Sequence, residues 1–161
     1  MNPGWLFFSA LCAIMGRTSF GKMADSFISS MDRNHRKVRV LIVDDTPDVR
    51  CDLHQFLDLT GDMEVIGEAA NGQEAIRLTA ELSPDVVVMD LEMPGKDGFE
   101  ATRQIKAQVH APRIVILSIH AGMEEQQRAL AAGADAFFMK GNSYEALVNS
   151  ILGTPSGNGK E

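Results

Sequence analysis

Three short runs of apolar, mostly β-branched residues constrain this chain more than anything else in it: Val40–Val43 (VLIV), Val86–Met89 (VVVM) and Ile114–Leu117 (IVIL). A strand with one wet face alternates polar and apolar residues. A run with no polar member is buried on both faces, as in a parallel sheet covered by helices on either side. Weaker runs at Glu64–Ala69 and Ala134–Met139 bring the expected strands to five.

Helical patterning fills the intervals. Val49, Leu53, Phe56 and Leu57 fall at i, i+4, i+7 and i+8, one stripe of a helix, and Tyr144, Leu147, Val148 and Ile151 repeat that logic. Thr46-Pro47 supplies an N-cap residue followed by proline at the first helical position. Asn71…Glu74, Asp97…Glu100 and Asn142…Glu145 each set a capping residue three before an acid. The helix after His120 (MEEQQRALAAG) has the thinnest apolar stripe and is expected to be the least firmly packed. Parallel strands need crossover helices, and right-handed crossovers place them on both faces. The expected fold is therefore a flavodoxin-like, doubly wound (βα)5 α/β sandwich of three layers, with parallel sheet order 2-1-3-4-5. Its cleft lies beyond the carboxyl ends of the strands, at the switch point between strands 1 and 3.

Each apolar strand ends in polar residues: Asp44-Asp45 after the first, Asp90 after the third, Ser118 after the fourth, Lys140 after the fifth. Singly, each has a plain reading. An aspartate at a strand end caps a helix, Ser118 makes a turn, Lys140 is solvated, and Met93-Pro94-Gly95 is a turn. Jointly they meet at one sheet edge. Clustered carboxylates repel one another unless a cation sits among them, and a hard divalent ion such as Mg2+ is the natural partner. Lys140 adds a point charge and Ser118 a hydroxyl, both suited to anionic oxygens, so the set is suited to a phosphoryl group beside Mg2+.

Charge and the chain ends narrow the function classes. Lys and Arg total 15 against 22 Asp and Glu, a net charge of −7. Residues 1–37 carry a small basic excess, so the acidity resides in residues 38–161. That argues against a general nucleic-acid surface, which needs basic excess. Cys12 and Cys51 offer neither a disulfide framework nor a metal-ligand spacing. Cys51 is expected on a helix as a small apolar residue, and a reduced, cytoplasmic setting is the default. The four scattered histidines suggest no zinc site. Trp5–Met15 is too short to span a membrane and lacks the marks of a signal peptide. Residues 1–37 are therefore expected to be a poorly ordered extension or sequence upstream of a later start at Met23 or Met31. Residues 38–152 form the domain, and residues 153–161 a flexible tail.

The segments VLIVDDTPDVR (Val40–Arg50), DVVVMDLEMPGKDGFEATRQI (Asp85–Ile105), IVILSIHAG (Ile114–Gly122) and AAGADAFFMKG (Ala131–Gly141) resemble the receiver domain of two-component response regulators. The resemblance covers about Val38 to Ile151, and LSIH with Gly98-Phe99 is similar to the subfamily that commonly precedes a helix-turn-helix domain. It implies that Asp90 is the phosphoacceptor. Asp45, Asp90 and the backbone carbonyl of Glu92 would ligate Mg2+, with Asp44 helping through water. Lys140 would contact the phosphoryl group, Ser118 would bond one of its oxygens, and Phe137 holds the place of the switch aromatic. Glu92 and His120 occupy positions that tune phosphoryl lifetime; a plainer reading of His120 is a solvent-facing helix cap. Gly141 stands where many receivers have proline, so no cis peptide is implied there.

The function implied is a Mg2+-dependent phosphoacceptor switch rather than a turnover enzyme. It would be charged by a sensor histidine kinase or histidine phosphotransfer protein, lose its phosphoryl group slowly by its own chemistry, and act on an effector protein. A homodimer through the face made by the helix after His120, the last strand and the last helix is left open. Neither nucleic acid nor membrane is an expected partner of this chain. The alternative is the receiver part of a DNA-binding regulator whose output domain lies beyond this sequence. An Asp-nucleophile hydrolase is disfavoured, because its usual second aspartate, two residues on, is here Glu92.

Overall fold

The computed structural model describes residues 36–93, 97–120, 122–141 and 144–153. The expectations for an N-terminal extension and a C-terminal tail, the turn at Pro94-Gly95 and the cap at Asn142 fall outside the described residues. Among the described residues ten elements alternate: β1 (Val38–Val43), α1 (Pro47–Leu59), β2 (Met63–Ala69), α2 (Gly72–Leu82), β3 (Val86–Asp90), α3 (Gly98–Lys106), β4 (Arg113–Ser118), α4 (Met123–Ala131), β5 (Ala136–Met139) and α5 (Tyr144–Leu152). The strands form one parallel sheet in the order β2-β1-β3-β4-β5. This is the expected doubly wound, flavodoxin-like fold.

Burial follows the sheet order. Every residue of β3 is buried, as are the last four of β1 and the last five of β4, while the edge strands β2 and β5 are only partly covered. Side chains alternate between two cores, because successive residues of a strand point to opposite faces. Leu41, Val43, Val87, Met89, Ile114 and Ile116 meet Ala75 of α2, Ala101 and Ile105 of α3, and Ala129 of α4. Val40, Ile42, Val86, Val88, Val115 and Leu117 meet Leu53 and Leu57 of α1 and Leu147 and Ile151 of α5. The layers are thus α2–α3–α4, sheet, and α1–α5. No described helix is long and apolar enough to cross a membrane.

The helix starts hold two of the expected caps and revise a third. Asn71 accepts from the Glu74 N–H while Glu74 reaches back to the Ala70 N–H, and Asp97 accepts from the Glu100 N–H. Thr46 has the extended backbone of an N-cap and Pro47 follows it, but the Thr46 side chain caps nothing. Its hydroxyl turns to Asp45 Oδ1 at 3.4 Å, and its N–H donates to Asp44 Oδ1 at 2.9 Å. The acidic pair orients the threonine instead, and the hydroxyl oxygen accepts no N–H from the first turn of the helix. Cys51 lies on α1 as expected, but on the exposed side of it.

Candidate functional site

The strand ends do converge. β1, β3 and β4 finish level with one another, with Val43 paired to Met89 and Asp90 to Leu117, so the residues that follow share one edge. Carboxylate oxygens of Asp44, Asp45 and Asp90 lie within 4.8 Å of one another. Asp44 and Asp90 are buried at 1% and 4% exposure, and Asp45 is the most open of the three. Lys140 comes in from the end of β5, with Nζ 2.6 Å from Asp44 Oδ2 and 3.1 Å from Asp90 Oδ1. Its backbone N–H donates to the Ser118 carbonyl at 2.7 Å, continuing the β4–β5 ladder past its last strand pair.

Burial dominates the electrostatics of Asp90. It pushes the carboxyl above the ordinary range, aided by the like charge of Asp44, against a downward pull from Lys140 and the Glu92 N–H. For Lys140 the balance reverses. Burial disfavours its charge, but the hydrogen bond to Asp44 and the charge of Asp90 outweigh that, so its ammonium is held above the usual lysine range. Three carboxylates against one ammonium leave two negative charges uncompensated in a set of hard oxygen donors. Oxygens around one octahedral Mg2+ at ~2.1 Å stand about 3–4 Å apart, close to the span of this cluster. The residues present therefore fit a divalent cation.

The remaining expected site residues lie around this centre. Ser118 is buried at the end of β4, and its hydroxyl oxygen accepts from the His120 N–H at 3.1 Å. Glu92 and His120 are exposed and face each other, Oε1 to Nε2, at 3.4 Å. His120 is not the cap of α4; Gly122 holds that position. Phe137 is half-buried on β5 and packs on the same core as Ala129 and Ile116. Beyond it, Arg128 of α4 stands 4.3 Å over the ring of Phe99 on α3.

Two residues near the site carry roles that strand-end logic missed. Gly98 opens α3 against the loop after β3: a β-carbon there would lie 2.3 Å from the Asp90 carbonyl oxygen and 2.8 Å from the Leu91 Cα. A glycine at a helix start is the available signal, since close backbone approach is one of the uses only glycine serves. Arg50, on the second turn of α1, donates from Nη1 to the Asp44 carbonyl at 2.7 Å and from Nε to Glu68 Oε2 at 3.2 Å. Nothing in its sequence position distinguishes it from a solvated helix residue.

Comparison with known proteins agrees with this arrangement. The response regulator receiver domain family matches residues 40–152. The transcriptional regulatory protein LiaR of Bacillus subtilis is 40% identical over 123 residues, 76% of this chain and 58% of its own length. The response regulator domain of Thermotoga maritima CheB superposes with a TM-score of 0.68 at 34% identity, over 74% of this chain and 96% of that one. The CheX–CheY–BeF3–Mg2+ complex of Borrelia burgdorferi gives a TM-score of 0.64 at 25% identity, over 71% of this chain and 87% of that one. The chain thus spans 58% of the length of LiaR. With fold, strand-end constellation and family match in accord, the chain belongs to the response regulator receiver domain family.

Proposed function

We propose that this receiver takes a phosphoryl group onto Asp90 from a phosphohistidine of a sensor kinase or phosphotransfer protein. An Asp90 carboxylate oxygen attacks phosphorus in line, the phosphorus–nitrogen bond breaks as the phosphorus–oxygen bond forms, and the imidazole leaves with a proton from solvent. The product is an acyl phosphate, a covalent form open to carboxylate nucleophiles. Such transfers ask the protein mainly for positioning and charge neutralisation. The observation that carries the reading is Lys140, whose ammonium bridges Asp44 and Asp90 from a position 96 residues beyond Asp44.

Asp45, Asp90 and the Glu92 carbonyl would hold Mg2+, with Asp44 acting through water because its oxygens already serve Thr46 and Lys140. When bound, the ion supplies charge neutralisation and orientation of the phosphoryl oxygens. Lys140 contacts the transferred group, and Ser118 exchanges its bond from His120 for one to a phosphoryl oxygen. The space Ser118 leaves admits Phe137, which shifts the packing of α4, β5 and α5 between two balanced arrangements. Glu92 and His120 at the rim set how long the acyl phosphate lasts. The BeF3 and Mg2+ bound by the CheY complex support this assignment by likeness.

A small acyl-phosphate donor with Mg2+ is expected to add one phosphoryl group to the intact mass, and EDTA to prevent it. Lys140→Ala is expected to separate labelling from the conformational response, read by NMR shifts in α4 and β5. Labelling undiminished by EDTA would contradict the metal assignment.

One finding favours a second reading. LiaR is named a transcriptional regulatory protein and extends well past the matched region, so this chain can be the receiver part of a DNA-binding regulator. Reading the gene past the codon for Glu161 decides between that and an output through protein contact alone.

A further inference from the structure

Arg50 contacts the acidic cluster through its backbone and has no part in the chemistry above. Its side chain is 17% exposed, and its fork is divided between two acceptors, the Asp44 carbonyl at 2.7 Å and Glu68 Oε2 at 3.2 Å. Glu68, on β2, is gripped a second time by His54, whose Nδ1 lies 2.8 Å from Oε1; His54 Nε2 in turn faces Asp58 at 3.4 Å. The bond from His54, helped by Arg50 and opposed by burial, holds the Glu68 carboxyl below the usual carboxylate range. The arginine therefore faces an ionised partner.

The geometry matters because of where the Asp44 carbonyl stands. The Asp44 N–H closes the last rung to the Ala69 carbonyl at 3.1 Å, and the β1–β3 pairing ends one residue earlier at Val43. The Asp44 carbonyl has thus left the ladder, and Arg50 is its donor. That carbonyl and the Asp45 N–H belong to one planar, rigid unit. Holding that plane fixes where the Asp45 backbone begins, and so narrows the positions its carboxylate can take relative to those of Asp44 and Asp90. A cation this close to the acids would also oppose a divalent ion. Glu68 offsets that charge.

We propose that Arg50 is a positioning residue that presets the spacing of the three carboxylates for a divalent cation by holding the Asp44–Asp45 peptide, while Glu68 neutralises the charge the arginine brings. The proposal rests on the Mg2+ reading above and assigns the affinity of that site to a residue that touches neither ion nor phosphoryl group.

The sign of the effect separates positioning from bulk charge. Calorimetric titration of the full chain with MgCl2 at fixed ionic strength is the test, on wild type, Arg50→Ala, Arg50→Lys and Glu68→Gln. Loss of a partner that orients a metal ligand weakens metal binding by roughly tenfold or more. Arg50→Ala is expected to weaken Mg2+ binding by roughly tenfold, although deleting a nearby positive charge would by itself tighten it. Arg50→Lys keeps the charge but not the rigid fork, and is expected to weaken binding as well. Tighter binding by Arg50→Ala, or wild-type binding by Arg50→Lys, overturns the proposal. Glu68→Gln leaves the arginine charge unopposed and is expected to weaken binding; an unchanged constant overturns the neutralising role of Glu68. Thermal unfolding in EDTA accompanies each titration, because a purely structural role lowers the midpoint and leaves the Mg2+ constant of the folded protein unmoved. Should Arg50→Ala not fold, Arg50→Lys decides. Wild type that binds no Mg2+ removes the metal reading itself; wild type that binds while the variants match it removes only the role of Arg50.

Discussion

At the scale of single residues, Asp90 and Lys140 are coupled groups whose perturbations have opposite consequences. Asp90 titrates above its ordinary 3.8 when folded, so its ionised form costs stability at neutral pH, and that cost is relieved as pH falls through the folded value towards the unfolded one. Lys140 titrates above its ordinary 10.5, so its contribution is fully present below that value and is lost as pH rises through the folded one. Asp90→Asn is therefore expected to raise the thermal midpoint without Mg2+ by roughly 3–5 °C, the equivalent of about 1 kcal/mol in a domain of this size. The rise should shrink when the pH is lowered to acid values; a midpoint that falls at neutral pH would show that the Lys140 pair outweighs the burial. Gly98→Ala tests backbone approach in the same neighbourhood. Its added carbon meets main-chain atoms of Asp90 and Leu91 that no rotamer change relieves. The expected loss is about 1–3 kcal/mol in urea unfolding, with slower labelling of Asp90. Wild-type values for both would mean that the loop after β3 yields freely.

At the scale of elements, the apolar runs located β1, β3 and β4 because burial on both faces leaves no room for polar members. The edge strands were fainter for the same reason: five of the seven residues of β2 and all of β5 escape full burial, so their composition is mixed. Asn71 and Asp97 cap as their spacing predicts, whereas the Thr46 side chain is turned towards Asp45 and accepts nothing from its helix, an orientation set by neighbouring aspartates that a spacing rule does not weigh. The thin stripe of α4 is a packing fact too. Ala129 is its buried residue, Met123 and Leu130 are exposed, and Arg128 over Phe99 supplies a cation–π contact worth about 0.5–1 kcal/mol at such sites. Few buried contacts mean a low opening free energy. Amide exchange is expected to be faster in α4 than in α3 or α5, and faster still after Arg128→Ala. Uniform protection across the three helices would contradict a segment poised between two arrangements.

At the scale of the whole molecule, the site was legible because topology does the assembling. Once five parallel units are recognised, the switch-point rule brings Asp44, Asp45, Asp90 and Lys140 to one edge, and the contacts of Lys140 join residues from both ends of the domain. What sequence could not disclose is the support beneath that edge. Arg50 meets Glu68 across 18 residues and a strand pairing, and its importance depends on a carbonyl left over where a ladder stops. Support of this kind leaves no periodicity, only three-dimensional adjacency. The central claim is that one aspartate among these acids carries phosphorus. Intact-mass analysis of wild type and Asp90→Asn, side by side with Mg2+ and a small acyl-phosphate donor, tests it most directly. One phosphoryl group on the wild type and none on the variant is the result expected; labelling of Asp90→Asn at the wild-type rate would contradict it.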